Sequence, residues 1–259
     1  MPQVARKPKA AETRERIRVE SGTKRVRAYL GGEAVADTAN PLLVWEAPYY
    51  PTYYFPLDDV RTELLEADGG SAHSPSRGEG RTFTVRAGGK EARAGALRYE
   101  DSPIEKLRKA IRLDWHAMDA WFEEDEEVFT HPRDPYTRVD ILPSSRHVRV
   151  EVDGVTIAES ASPRLLFETG LPGRYYLPKT HVRLELLVPS DTVSHCPYKG
   201  QAEYWSVRAG DELHADLAWS YKTPLPESQK IAGLIAFYNE RVDIYVEGVL
   251  QERPVTKFS

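Results

Sequence analysis

The stretch Val148-Arg-Val-Glu-Val-Asp-Gly-Val-Thr-Ile157 alternates apolar and polar residues with a period of two on both sides of Asp153-Gly154. This period is typical of a half-buried β-strand, and Asp-Gly supplies the residues that a tight hairpin turn needs. The stretch therefore predicts a β-hairpin. Gly31-Gly32 stands at an equivalent turn earlier in the chain, at an offset of 122 residues (154 − 32).

The hairpin belongs to an internal repeat that continues at the same offset without a gap. Glycines, prolines and aromatic residues recur together along it, which chance does not explain. The repeat aligns Pro41 with Pro163, Tyr53 with Tyr175, Tyr54 with Tyr176, Pro56 with Pro178, Gly78 with Gly200 and Tyr99 with Tyr221. The chain is therefore predicted to be a tandem duplication of one domain.

Each copy is predicted to be mainly β (α+β), an antiparallel domain with one short helix. Short apolar or alternating runs separated by glycine and proline indicate the strands. Ser102-Pro-Ile-Glu105 has the pattern of a helix capping box, and Pro226-Glu227 opens its counterpart. The predicted organisation is a tail (1–23), a first copy (24–127), an acidic and proline-punctuated linker (128–143) and a second copy (144–252).

Composition excludes several classes of protein. A net charge of -5 over 259 residues disfavours nucleic acid as a partner, because that affinity comes from clustered Lys and Arg. No stretch is apolar enough to span a membrane, and no secretory leader is recognisable. Cys196 is the single cysteine, which excludes an intrachain disulfide and a paired-cysteine zinc site. We therefore expect a cytoplasmic protein without metal or cofactor, and a protein partner is left open.

Several motifs carry a resemblance to a known family. They are Val139-Asp-Ile-Leu-Pro-Ser-Ser-Arg-His-Val148, Cys196-Pro-Tyr-Lys-Gly200, Leu217-Ala-Trp-Ser-Tyr221 and Ala236-Phe-Tyr-Asn-Glu-Arg-Val-Asp243. The chain resembles the domain of unknown function family numbered 427, which is also labelled nucleotidyltransferase-like. No established activity comes with this resemblance. We discount the label, since neither a phosphate-binding glycine loop with its lysine nor paired acidic metal ligands are present.

The resemblance also implies a fold. Members of the family look like β-tent domains, two antiparallel sheets pinned at one edge, shared in outline with methionine sulfoxide reductase B and the thalidomide-binding domain of cereblon. Those relatives hold zinc with paired cysteines. The resemblance therefore implies a zinc-free variant here, and a shared fold transfers no chemistry.

The second copy carries the better candidate site, because polar and aromatic residues collect where its chain turns. The first copy has Ser74, Ser76, Phe83 and Leu97 at four of these positions and looks degenerate. We expect His195, Lys199, Trp205 and Glu168 to line one cleft. The candidate ligand-binding residues are Glu168, Tyr175, His195, Cys196, Tyr198, Lys199, Trp205, Trp219 and Asn239.

Three hypotheses of function follow. The first is a protein that binds a small polar or aromatic ligand in the second copy. The second is an enzyme, a transferase or hydrolase, with His195 or Glu168 as acid or base and Lys199 as an electrostatic clamp; Cys196 beside His195 also invites a nucleophile. The third is an interaction module whose edge strands or acidic linker dock a partner. Packing of the aromatic residues in a small core is the competing explanation for the site.

Overall fold

The computed structural model describes residues 17–256 and Ser259, so most of the predicted tail lies outside the described residues. The chain divides into two compact units between Pro132 and Arg133. Within the described residues, each unit contains eleven strands. The strands pair in the same antiparallel order in both units. This confirms the mainly β class and the two similar domains.

The first copy forms one seven-stranded and one four-stranded antiparallel sheet, with strand orders β1-β4-β5-β9-β8-β7-β6 and β11-β10-β2-β3. Its strands are β1 (Val19–Ser21), β2 (Val26–Leu30), β3 (Glu33–Thr38), β4 (Leu42–Val44), β5 (Thr52–Pro56), β6 (Leu65–Ser74), β7 (Gly78–Ala87), β8 (Lys90–Arg98), β9 (Ala110–Leu113), β10 (Ala120–Glu123) and β11 (Glu126–Glu127).

The second copy repeats this topology strand for strand, with the orders β12-β15-β16-β20-β19-β18-β17 and β14-β13-β21-β22. Its strands are β12 (Val139–Pro143), β13 (Val148–Val152), β14 (Val155–Ser160), β15 (Arg164–Glu168), β16 (Arg174–Leu177), β17 (Leu187–Cys196), β18 (Gly200–Ala209), β19 (Glu212–Ser220), β20 (Ile235–Phe237), β21 (Asp243–Val246) and β22 (Val249–Leu250). The quoted hairpin is β13–β14, as predicted.

Two of these strands lie outside the predicted domain bounds. β1 pairs with β4 although its residues fall in the predicted tail, and β12 pairs with β15 although its residues fall in the predicted linker. Both are short edge strands, and no hairpin turn in the sequence indicates them. Alternation over three to five residues is too brief to separate a strand from an extended loop.

The helical segments of the described chain are all 3-10 helices, in which each turn is tighter than in an α-helix. One lies at each predicted helix position. In the first copy the Ser102 hydroxyl accepts from the N–H of Ile104 (3.1 Å) and not from that of Glu105, so the predicted capping box is replaced by a tighter turn. The segments are Leu57–Asp59, Thr62–Leu64, Glu105–Leu107, Trp115–Ala117, Lys179–His181, Leu184–Leu186 and Pro226–Ile231. None of the described helices could cross a membrane.

The seven-stranded sheet of the second copy is buried on both faces. One face packs on the four-stranded sheet, with Leu177, Val207 and Phe237 against Val150 and Ile244. The opposite face carries a second cluster, and Pro226–Ile231 and β12 contribute to it through residues such as Ile231 and Ile141. Since successive residues of a strand point to opposite faces, neighbours in β16 belong to different clusters.

The long edge strands β6 and β17 are interrupted. Pairing of β6 with β7 breaks between Ala67 and Ser71, and pairing of β17 with β18 breaks between Pro189 and Val193. These breaks divide each ten-residue edge strand into two shorter paired pieces.

Candidate functional site

A buried ion pair anchors the β17–β18 hairpin of the second copy. Lys199 lies in the turn and is only 8% exposed, and its ammonium group pairs with the carboxylate of Glu168 at the end of β15. Burial lowers the pKa of Lys199, but Cys196, Glu168 and Tyr176 outweigh that effect and hold the pKa above its usual value. The lysine is therefore charged, and it needs its acidic partner.

Aromatic residues enclose this pair on the face turned away from the four-stranded sheet. The Trp219 indole N–H donates to the Tyr176 hydroxyl at 3.1 Å, and the two rings meet edge to face. Burial raises the pKa of Tyr176 to about 12, and burial likewise raises the pKa of Tyr221. Both phenols are therefore neutral at physiological pH.

The first copy contains a similar polar cluster. Arg77 pairs with Glu46 and donates to the Tyr54 hydroxyl at 3.1 Å and to the Ser74 hydroxyl at 3.0 Å. Its guanidinium also lies over the ring of Tyr99. An acid, a base and two tyrosines are thus present at equivalent positions in both copies. Both copies keep this cluster although the residues around it differ. We therefore interpret the cluster as a structural link between the hairpin and the sheet.

The nine residues selected from the sequence do not meet in one cleft. Trp219 packs beside the buried pair, whereas Tyr175 and Trp205 belong to the core on the other face of the sheet. The remaining members lie at the edge of these clusters. His195 is exposed in β17, Cys196 is half-buried at its end, and the Tyr198 hydroxyl accepts from the Asp134 N–H at 2.7 Å. Their role in ligand binding stays a prediction.

A cleft of about 250 Å³ opens between the two sheets of the second copy. Apolar side chains from both sheets line it. Polar side chains from the segment before β13 and from the segment after β22 also line it. Tyr175 and Asn239 are the two sequence-selected residues that line it. The apolar lining includes Leu165, Phe167, Tyr175, Val242 and Ile244, and the polar side chains that line it are Arg146, Asn239, Gln251 and Glu252.

Asn239 lines this cleft and carries an unsatisfied acceptor. Its amide nitrogen donates to the carbonyl of Gly173 at 2.9 Å. Its Oδ1 is buried and accepts no hydrogen bond from any described residue. A buried polar atom without a partner is uncommon in proteins and is a place where a ligand or water is expected.

A second buried ion pair joins the start of β16 to the turn that follows β20, beside Asn239. The Arg174 guanidinium donates to both carboxylate oxygens of Glu240 at 2.6 and 2.7 Å, and the Thr256 hydroxyl adds a contact of 2.6 Å. Sequence reasoning missed this pair. The available signal was an arginine at the start of the apolar run Tyr175-Tyr-Leu177, which is unusual unless the charge is paired.

The Arg174–Glu240 pair predicts a pH-dependent stability. Burial raises the pKa of Glu240, but the hydrogen bonds from Arg174 and Thr256 outweigh it and hold the pKa below its usual value. The pair therefore stabilises the fold above the unfolded pKa of about 4.3, and that contribution is lost as the pH falls through the folded pKa. We expect Glu240→Gln to destabilise the fold at about pH 7, and the difference from the parent should shrink as the pH falls from about 4.3 towards about 3. Urea unfolding across this range tests it; a constant difference contradicts it.

The first copy places other residues at the position of this cleft. Leu113 pairs with Ala96, and Phe237 pairs with Ala218, the equivalent of Ala96. Leu113 and Phe237 are therefore equivalent, and the offset between the copies is 124 (237 − 113) in this region. It puts Trp115 at the position of Asn239.

The position of Ile244 is likewise taken by a tryptophan in the first copy. Trp121 pairs with Ala28, and Ile244 pairs with Val150, the equivalent of Ala28. Trp115 and Trp121 stack with their ring centroids 4.5 Å apart, and only about 60 Å³ remains between them and their neighbours. The first copy is filled where the second is open.

These features define a tandem two-domain antiparallel β protein in which one copy has an open cleft and the other a filled one. The chain belongs to the family described as Domain of unknown function (DUF427), which matches residues 18–124 and 140–248. The match confirms both the family and the two tandem copies expected from the sequence. A comparison with curated proteins finds no match.

Proposed function

We propose that the second copy binds a small organic molecule in the cleft between its two sheets. One observation carries the proposal: the cleft is open where the first copy places two tryptophans, and Asn239, which lines it, has a buried Oδ1 without a donor. The fold thus tolerates filling this space, and the second copy leaves it open with an unsatisfied polar atom.

The lining indicates the kind of ligand. Phe167 and Tyr175 offer apolar and aromatic surface, which favours a flat apolar body. Asn239 Oδ1 favours an N–H or O–H donor on that body. The volume lies below the roughly 300–1,000 Å³ of pockets for drug-sized ligands, which favours a metabolite of modest size.

Binding fits the geometry better than the catalytic alternative. Glu168 and Lys199 neutralise each other in a buried pair, so neither is poised as an acid, base or clamp for a substrate. His195 is exposed on β17 and lies apart from the cleft lining. We also propose a cytoplasmic location, because a single cysteine cannot form the intrachain disulfides typical of secreted proteins.

The proposal predicts loss of binding when the cleft is altered. A metabolite panel is first screened on the full chain for ligands that raise the melting temperature, because a ligand of the native state stabilises it. For a confirmed ligand, Asn239→Leu should weaken binding by about ten- to a hundredfold, the cost of losing one buried hydrogen bond. The double variant Asn239→Trp, Ile244→Trp reproduces the first copy's filling and should abolish binding. Titration calorimetry measures both.

Trp205→Phe is the matched control. The first copy carries phenylalanine at that position, and Trp205 lies outside the cleft lining, so affinity should be unchanged. If Trp205→Phe weakens binding while Asn239→Leu does not, the ligand occupies the site expected from the sequence and the cleft assignment is wrong.

A further inference from the structure

We propose that Asp153, Glu212 and His214 of the second copy bind a divalent transition-metal cation of the Zn²⁺ class. Asp153 lies in the β13–β14 turn, and the other two lie at the start of β19, in the neighbouring hairpin. One potential ligand atom from each residue lies within 4.8 Å of the other two. The site joins the tips of two hairpins from different sheets.

The imidazole of His214 provides an independent indication. Its Nε2 is buried and makes no hydrogen bond with any described residue, although Asp153 Oδ2 lies only 2.8 Å away. The two atoms therefore approach each other without the alignment that a hydrogen bond requires. Atoms that share a metal ion converge in this manner, since each points at the ion. An unexplained buried polar atom is also where an ion or water is expected.

The charges around this cluster are not otherwise balanced. Neither carboxylate pairs with a lysine or arginine of the described chain; the recorded contact of each is with His214. The two carboxylates carry two negative charges, which a divalent cation would neutralise.

The first copy shows what this place looks like without the ligands. The equivalent residues are Gly31, Lys90 and Ala92, and the Lys90 ammonium supplies a positive charge that Asp119 binds at 2.8 Å. Gly31 also touches Gly88 so closely that a Cβ on Gly88 would lie 1.9 Å from the Gly31 carbonyl oxygen. Asp153 replaces Gly31 in the second copy, and a Cβ added to Gly210, the equivalent of Gly88, would have no described atom within 4 Å. The second copy thus leaves room between its hairpins.

The ligand set selects the class of metal. Imidazole nitrogen favours Zn²⁺ and its first-row neighbours over Mg²⁺ or Ca²⁺, which prefer oxygen ligands alone. Three protein ligands leave at least one coordination position for water, so the ion should exchange more readily than a four-cysteine structural zinc. The sequence predicted no metal because its single cysteine cannot form a paired-cysteine site. It could not show that His214 and Asp153 meet, since they lie in different hairpins.

Titration calorimetry of the full chain with Zn²⁺, and visible absorption with Co²⁺, test the proposal. The parent should bind one ion per chain, and His214→Ala should weaken that binding at least tenfold. Alanine is the residue that the first copy carries and buries at the equivalent position, so the variant should fold. The control is His147→Ala, which removes another imidazole that pairs with a single carboxylate, that of Glu159 at 2.8 Å, and it should bind like the parent.

Three results would overturn the proposal. They are no binding by the parent at millimolar metal, equal binding by His214→Ala, or loss of binding in His147→Ala. If His214→Ala changes only the melting temperature, the cluster is a structural ion pair. None of these readouts depends on the organic ligand proposed above.

Discussion

Replacing Lys199 with alanine is expected to lower the free energy of unfolding of the second copy by about 3–5 kcal/mol. The variant leaves the Glu168 carboxylate buried without its cation, and a buried unpaired charge is strongly destabilising. It also removes the contact that ties the β17–β18 hairpin to β15. Hydrogen exchange followed by mass spectrometry measures the effect on peptides of the second copy alone, which a two-domain chain requires.

Two comparisons show whether the buried charge is the cause. Glu185→Ala breaks an ion pair with Arg183 in which both side chains are exposed, and it should have little effect. The double variant Lys199→Met, Glu168→Leu removes both charges together and should recover much of the loss. A double variant no more stable than Lys199→Ala would argue that the ammonium stabilises the hairpin by other means.

Trp121→Ala should lower the stability of the first copy by a similar amount, about 3–5 kcal/mol. Trp121 is 4% exposed, its ring stacks on Trp115, and its indole N–H donates to the Trp115 carbonyl at 3.0 Å. Truncation therefore creates a large cavity and removes a hydrogen bond. Hydrogen exchange of peptides from β2 and β10, which Trp121 joins, reports the change.

The matched control for Trp121 is Trp205→Ala in the second copy. Trp205 is half-buried and packs at the margin of its core, so its loss should cost less. Equal costs for the two variants would mean that the stacked pair does not fill a core position, and the argument that the first copy is closed would fail.

Much of the fold was predictable because local signals and the repeat agree. Asp153-Gly154 fixes the β13–β14 hairpin, and the offset of 122 relates the strands up to Tyr99 in the first copy to those up to Tyr221 in the second. The predicted helices could not be specified further, since a capping pattern does not reveal that the segment ends after one turn. The offset also changes beyond Tyr221, where the second copy contains two additional residues before β20.

The site was only partly predictable, because strand alternation separates residues that are neighbours in sequence. Lys199 and Glu168 were selected as candidates and do meet. Tyr175 was grouped with Trp219 although the two occupy opposite faces of one sheet. The Arg174–Glu240 pair joins positions 66 residues apart, and its partnership depends on sheet order that a single sequence does not show.

The interrupted edge strands have a consequence for the protein in a crowded solution. A free strand edge is a template on which another chain can add a strand, and long regular edges promote aggregation. In β17 the break follows Pro189, which has no N–H to offer, and in β6 it includes Gly69, whose φ of +76° bends the backbone out of line. Each edge therefore offers an incoming strand only short pieces of matching backbone. The interruptions make these two long edges poor templates for the addition of a further strand.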